Sequence, residues 1–144
     1  MADVLKKVPV REQDPKVRAT NFDEVCLGYN KEEAMAEAER CLHCKNAKCV
    51  QGCPVNINIP DFIAEVKTGN FEGAYKVISE SSALPAICGR VCPQESQCEG
   101  KCIRGIKGEA VSIGKLERFV ADWARENGIK PPAPAAKNGH KVAV

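Results

Sequence analysis

Cysteine spacing constrains this chain more than any other feature of its sequence. The chain has 144 residues and nine cysteines, and all the cysteines but Cys26 fall into dense runs. The first run is Cys41-x2-Cys44-x4-Cys49-x3-Cys53-Pro54, and the second is Cys88-x3-Cys92-Pro93-x4-Cys98-x3-Cys102. Met1 to Lys7 holds positive charges with no apolar stretch behind them, so it does not read as a secretory leader. The expected location is the cytoplasm, where disulfides seldom persist and clustered thiols more often bind metal. An odd number of cysteines would also leave one thiol over in a full disulfide framework.

Close, unequal spacing suits a cubane, because the loop between the thiolates must wrap a compact anion. Bacterial ferredoxins use C-x2-C-x2-C-x3-C-P, and the fourth cysteine of that run ligates the other cluster. Cys49-x3-Cys53-Pro54 reproduces its end, whereas the gap from Cys44 to Cys49 is longer. Two 4Fe–4S clusters are the leading expectation. The alternative is a cysteine-rich zinc-binding module that only docks proteins, but four-cysteine zinc sites usually set two close pairs apart by a longer stretch. On spacing alone Cys88 is acceptable as a ligand, which would give four cysteines in each run. Cys26 reads as a small apolar packing residue. His43 reads as a supporting or surface residue rather than a ligand.

Composition narrows the function classes. Hydrophobic residues make up 44% and charged residues 28%, which is the balance of a folded, soluble chain. Aromatic residues are only 5%, so the core must rest on Leu, Ile, Val and Ala. A net charge of +2 gives no bulk attraction to nucleic acid. No apolar run reaches the length of a membrane span.

Periodicity predicts helices. Residues 1–20 are polar, lack a period and read as an N-terminal arm with solvated charges. Asn30 and Glu33 form a capping-box pair ahead of a helix that is expected to run straight into Cys41 and Cys44. Met35, Ala38 and Leu42 would share its inner face. Cys49 to Pro60 reads as loop, because Pro54 and Pro60 remove backbone donors. A short helix after Asp61 would turn Phe62, Ile63 and Val66 inward and stop at Gly69. Asn70 would cap a second one carrying Phe71, Ala74, Tyr75 and Ile78. Leu84 to Gly108 should be mostly turns with one short helical piece. The strongest helix is Ile113–Asn127, whose apolar residues Leu116, Phe119, Val120 and Trp123 fall at i, i+3, i+4 and i+7. Residues 130–139 read as a Pro/Ala-rich linker, and 140–144 as the start of a buried strand, so a fragment of a longer polypeptide is expected.

Several motifs occur together and in order: Asn21-Phe22-Asp23-Glu24-Val25, Gly28-Tyr29, the Cys41–Pro54 run, Gly89-Arg90-Val91-Cys92-Pro93, Cys98-Glu99-Gly100-x-Cys102 and Ile113-Gly114-Lys115-Leu116-Glu117. Over about residues 20–130 the chain resembles the N-terminal iron–sulfur domain of the glutamate synthase small (beta) subunit. That domain is shared with the large subunit of NADH-dependent reduced ferredoxin:NADP oxidoreductase and with dihydropyrimidine dehydrogenase. The resemblance implies an all-α, helical ferredoxin-like domain over 21–129, with two cysteine-rich cluster-binding loop regions. It implies crossed ligation: Cys41, Cys44, Cys49 and Cys102 on one 4Fe–4S cluster, and Cys53, Cys92, Cys98 and Glu117 on the other. Cys88 falls where the family needs no ligand. On helix geometry, Glu117 lies at the border of the apolar stripe, and the competing reading is a surface carboxylate paired with Lys115 or Arg118.

The resemblance also implies an electron-transfer role within an NAD(P)H-dependent flavoprotein oxidoreductase, with no catalytic acid, base or nucleophile in these residues. FAD and NAD(P)H would bind a Rossmann domain that begins at 140–144 and continues past Val144. The implied partners are that flavin domain and a partner subunit, either a glutamate synthase large subunit or a flavoprotein small subunit.

Overall fold

The computed structural model describes residues 5–130, 136 and 139–141. The linker over 130–139 and the strand over 140–144 fall largely outside the described residues. The fold is built from helices α1 (Pro15–Arg18), α2 (Lys31–Ala38), α3 (Lys48–Gly52), α4 (Ile59–Lys67), α5 (Phe71–Ser79), α6 (Pro85–Val91) and α7 (Ile113–Glu126). Short 3-10 turns occupy Glu99–Lys101 and Ile103–Ile106. Strands β1 (Arg11–Glu12) and β2 (Cys26–Gly28) pair antiparallel as a small ribbon. The architecture is all-α in the sense expected.

The apolar spacing of α7 buries Leu116, Phe119 and Val120, while Trp123 is half-buried. That stripe packs on the α4–α5 hairpin, which contributes Phe62, Ile63, Val66, Phe71, Ala74 and Ile78. The Phe71 ring meets Phe119 edge-on at 5.0 Å and Trp123 at 5.5 Å, geometries that add to simple area burial. Asn70 caps α5 by accepting from the Gly73 N–H at 3.1 Å. At α2 the capping box is complete: Asn30 accepts from the Glu33 N–H at 2.8 Å, and Glu33 accepts from the Asn30 N–H at 2.7 Å.

Three local expectations are corrected. First, α2 ends at Ala38, before the first cysteine, and Leu42 is exposed rather than inward. The cause is a buried ion pair one turn apart. Glu37 and Arg40 are 0% and 1% exposed, and Arg40 donates to Glu37 and to the carbonyls of Glu109 and Ala110. Serving those carbonyls pulls the chain out of helical register. Second, Lys48–Gly52 forms a single helical turn instead of loop. Third, α4 begins at Ile59, so Pro60 sits inside its first turn. There a missing N–H costs nothing, since that donor has no intrahelical partner.

The N-terminal segment is extended over 7–14 before it turns into α1, but its charges are not all solvated. Lys7 pairs with Glu99 at 2.7 Å and Arg11 with Glu33 at 3.0 Å. The Val8 N–H donates to Glu37 at 2.7 Å, and the Tyr29 hydroxyl donates to the Val8 carbonyl at 2.8 Å. Glu37 also accepts from the Ser112 N–H at 2.8 Å, immediately ahead of α7. One carboxylate thus joins the N-terminal segment, α2 and the entry to α7. Replacing it should leave Arg40 buried without its counter-charge, a loss of about 3–5 kcal/mol. Urea unfolding of Glu37→Ala, followed by far-ultraviolet circular dichroism, should show a destabilisation of that order. A change below about 1 kcal/mol, the size expected of an exposed pair, would contradict this account.

Candidate metal centre

The cysteine runs lie side by side because α3 packs against the Glu99–Lys101 turn. At Gly52 a Cβ would stand 2.7 Å from the Gln97 carbonyl oxygen, so only glycine allows the backbones this approach. On one side of the contact are Cys49 and Cys53, and on the other Cys98 and Cys102. Cys41 follows the turn after α2, and Cys44 lies in the loop leading to α3.

Cys41, Cys44, Cys49 and Cys102 line one cavity, together with Ile59, Ile63, Val111 and Ile113. Three of these cysteines come from the first run and one from the second. Burial pushes the Cys49 thiol up to about 11, and the charges of Cys102, Cys41 and Cys44 add to the shift. Burial also raises Cys41, with Cys44 and Cys102 contributing, while the backbone N–H of His43 works the other way. His43 itself adopts a left-handed φ of 46° and its side chain is exposed, 3.8 Å from Asp61. It belongs to the surface, as expected.

Cys53, Cys92 and Cys98 converge differently. Cys92 caps the end of α6, and Cys53 caps the end of α3, both in extended conformation. Burial raises the Cys98 thiol to about 12, with Glu99, Cys53 and Glu117 adding to it. Burial likewise raises Cys92, with Cys88, Glu117 and Cys53 adding. These donors are therefore within electrostatic reach of one another. Cys88 also adjoins Cys92, one turn earlier on α6, so the structure leaves it beside this group rather than apart from it.

Glu117 projects from α7 and is 8% exposed. Its Oε1 is buried with no hydrogen-bond partner among the described residues. Burial alone pushes its carboxyl up to about 7. The surface pairing with Lys115 or Arg118 does not form: Lys115 reaches toward Cys26, and Arg118 donates to the Cys26 carbonyl and pairs with Glu24 and Asp122. A buried oxygen acceptor without a donor is costly, and a metal ion bound beside Cys53, Cys92 and Cys98 would satisfy it. Donor chemistry therefore fits an iron–sulfur group.

Cys26 stands outside both groups, in β2. Sequence reading missed the supports. Gly89 lets α6 lie on α7, where a Cβ would come 2.7 Å from the Arg118 nitrogen. Gln94 donates to the carbonyls of Cys88 and Gly89, and Arg104 to that of Arg40 at 2.7 Å. The Gly89–Arg118 and Arg104–Arg40 contacts join residues far apart in the chain, and no local pattern announces them.

Comparison with known proteins identifies the family. A family model described as dihydropyrimidine dehydrogenase domain II, 4Fe-4S cluster, matches residues 18–129. The chain is 36% identical over 141 residues to the glutamate synthase [NADPH] small chain of Escherichia coli (strain K12), covering 97% of this chain and 30% of that one. It is 39% identical over 129 residues to the glutamate synthase [NADPH] small chain of Halomonas elongata, covering 86% and 27%. The NAD-dependent dihydropyrimidine dehydrogenase subunit PreT of Escherichia coli (strain K12) is 38% identical over 123 residues, covering 85% and 30%. This chain thus spans 27% to 30% of the length of these relatives. With the motif order, the helical fold and the family match in agreement, the chain belongs to the 4Fe-4S family of dihydropyrimidine dehydrogenase domain II, shared with glutamate synthase small chains.

Proposed function

We propose that this chain binds two 4Fe–4S clusters and serves as the electron-transfer domain of an NAD(P)H-dependent flavoprotein oxidoreductase. The observation that carries the reading is the orphaned Glu117 oxygen beside Cys53, Cys92 and Cys98. Cys41, Cys44, Cys49 and Cys102 hold the first cluster; Cys53, Cys92, Cys98 and Glu117 hold the second. When bound, such clusters supply reversible one-electron chemistry. The chain's own residues fix the donors, exclude water and set the local charge. Ile59, Ile63, Val111 and Ile113 give the first site apolar walls. An anionic oxygen is a harder donor than thiolate, so Glu117 favours the oxidised iron of its site. No residue here serves as catalytic acid, base or nucleophile.

FAD and NAD(P)H belong, on this reading, to a Rossmann domain following these residues. Relatives carry "subunit" or "small chain" in their names, which supports a partner oxidoreductase subunit. The cytoplasm, a reducing compartment, suits cysteines that ligate metal instead of pairing as disulfides. Among the described residues no helix is long and apolar enough to cross a membrane.

Crossed ligation predicts that Cys102→Ala damages the cluster of Cys41, Cys44 and Cys49 and spares the other. Electron paramagnetic resonance of the reduced protein separates the two signals. Damage confined to the Cys92–Cys98 site would refute the crossed scheme. Glu117→Ala should remove or alter only the second signal, whereas Cys88→Ala should retain the full iron content. The reverse pattern would make Cys88 the fourth ligand.

Metal removal should act unevenly. Of residues 41–54 and 92–108, only Cys98 belongs to the buried apolar core, so ligation supplies much of their order. In the iron-free chain, amide exchange should quicken across 41–54 and 92–108 while α4, α5 and α7 stay protected. Equal protection throughout would count against this.

A further inference from the structure

The cavity lined by Cys41, Cys44, Cys49 and Cys102 opens at a rim that combines exposed apolar residues with lysines. Leu42 and Ile103 line the cavity and are 49% and 42% exposed. Ile106 is 79% exposed. It lies three residues after Ile103 in the same 3-10 turn, where positions i and i+3 eclipse, so both face the same way. Lys48 and Lys101 also line the cavity, and no Asp or Glu does. Lys107 follows on the second segment, and Lys45 on the first, where it lines a neighbouring recess that also holds Asp61. All four lysines are exposed, and among the described residues none forms an ion pair, although Lys48 reaches Gln51 at 3.4 Å. This is a local concentration, because the whole chain carries only +2.

From this juxtaposition we propose that the mouth of the first cavity is a docking surface for a redox protein with an acidic face and an apolar centre. The proposal rests on the cluster-binding reading above and names the kind of partner that exchanges electrons at that site. Leu42, Ile103 and Ile106 form the part that becomes buried. Lys45, Lys48, Lys101 and Lys107 form the rim that steers encounter, as charges of one sign around a contact do. Each exchange moves one electron: the donor is oxidised by one equivalent and the acceptor reduced by one, with no bond made or broken.

The test uses the cluster-loaded chain with oxidised flavodoxin as the acidic probe and cytochrome c as the basic one. Iron content and the visible spectrum are recorded first; a wild-type chain that takes up no iron sinks the cluster reading itself, and this proposal with it. For the loaded chain, flavodoxin should bind and cytochrome c should not. Affinity should fall steeply between about 0.01 M and about 1 M salt, where the screening length drops from about 30 Å to about 3 Å. Lys45→Glu combined with Lys107→Glu, both outside the cavity lining, should weaken flavodoxin binding about tenfold or more. Ile106→Ser should weaken it without changing its salt dependence. The control Lys31→Glu with Lys130→Glu, away from this rim, should leave it unchanged. Equal weakening by the control, equal binding of both probes, or no binding of flavodoxin by the loaded chain would overturn the proposal. So would charge reversal that shifts the cluster's midpoint potential and leaves binding intact, since the lysines would then only offset thiolate charge.

Discussion

The buried pair of Glu37 and Arg40 is the interaction on which the rest of the arrangement depends. Two charges out of water are stable only when their remaining hydrogen-bond capacity is met. Here that requirement recruits backbone from distant segments: the Val8 and Ser112 N–H groups on Glu37, and the Glu109 and Ala110 carbonyls on Arg40. The Arg40 carbonyl in turn receives Arg104. Through these bonds the end of α2, the stretch after the second cysteine run and the entry to α7 share one anchor. Cys41 is the next residue after Arg40, so the anchor also sets where the first run begins.

Much of the scaffold was legible because it is local. The Asn30–Glu33 box, the Asn70 cap, the inward sets of α4, α5 and α7, and the Gly69 stop all follow from near-neighbour chemistry. The grouping of Cys102 with Cys41, Cys44 and Cys49 was not legible in spacing; it came only from resemblance. The end of α2 was misjudged because Glu39, Arg40 and Leu42 continue the helical propensity past Ala38, while the Glu37–Arg40 network that stops it is tertiary. Leu42 was misplaced for the same reason. Pro60 misled in the opposite direction, since a proline in a first turn opens a helix instead of breaking it.

Glu117 illustrates how a weak periodic signal can hide a strong physical one. On a helical wheel it sits at an edge, where a solvated carboxylate is the ordinary outcome. In the fold, α6 and the Cys92–Cys98 stretch cover that edge and take away both water and counter-ions. Arg118, the obvious neighbour, is turned to the opposite side to hold the β2 carbonyl of Cys26 and the carboxylates of Glu24 and Asp122. The acid is left with one buried oxygen unpaired among the described residues, within electrostatic reach of Cys92 and Cys98.

The contact of α3 with the Glu99–Lys101 turn has a consequence for biosynthesis. On the proposed ligand sets each donor group draws on both stretches of chain, so neither would exist while only the first stretch has left the ribosome. Cys41, Cys44, Cys49 and Cys53 emerge early and must wait, as exposed thiols, for roughly fifty more residues before their partners at 92, 98 and 102 arrive. Translation therefore exposes an interval in which the nascent chain is open to oxidation or to scavenging of stray metal. The helical hairpin of α4 and α5 lies between the two stretches, and its apolar face meets α7, which is made after the second stretch.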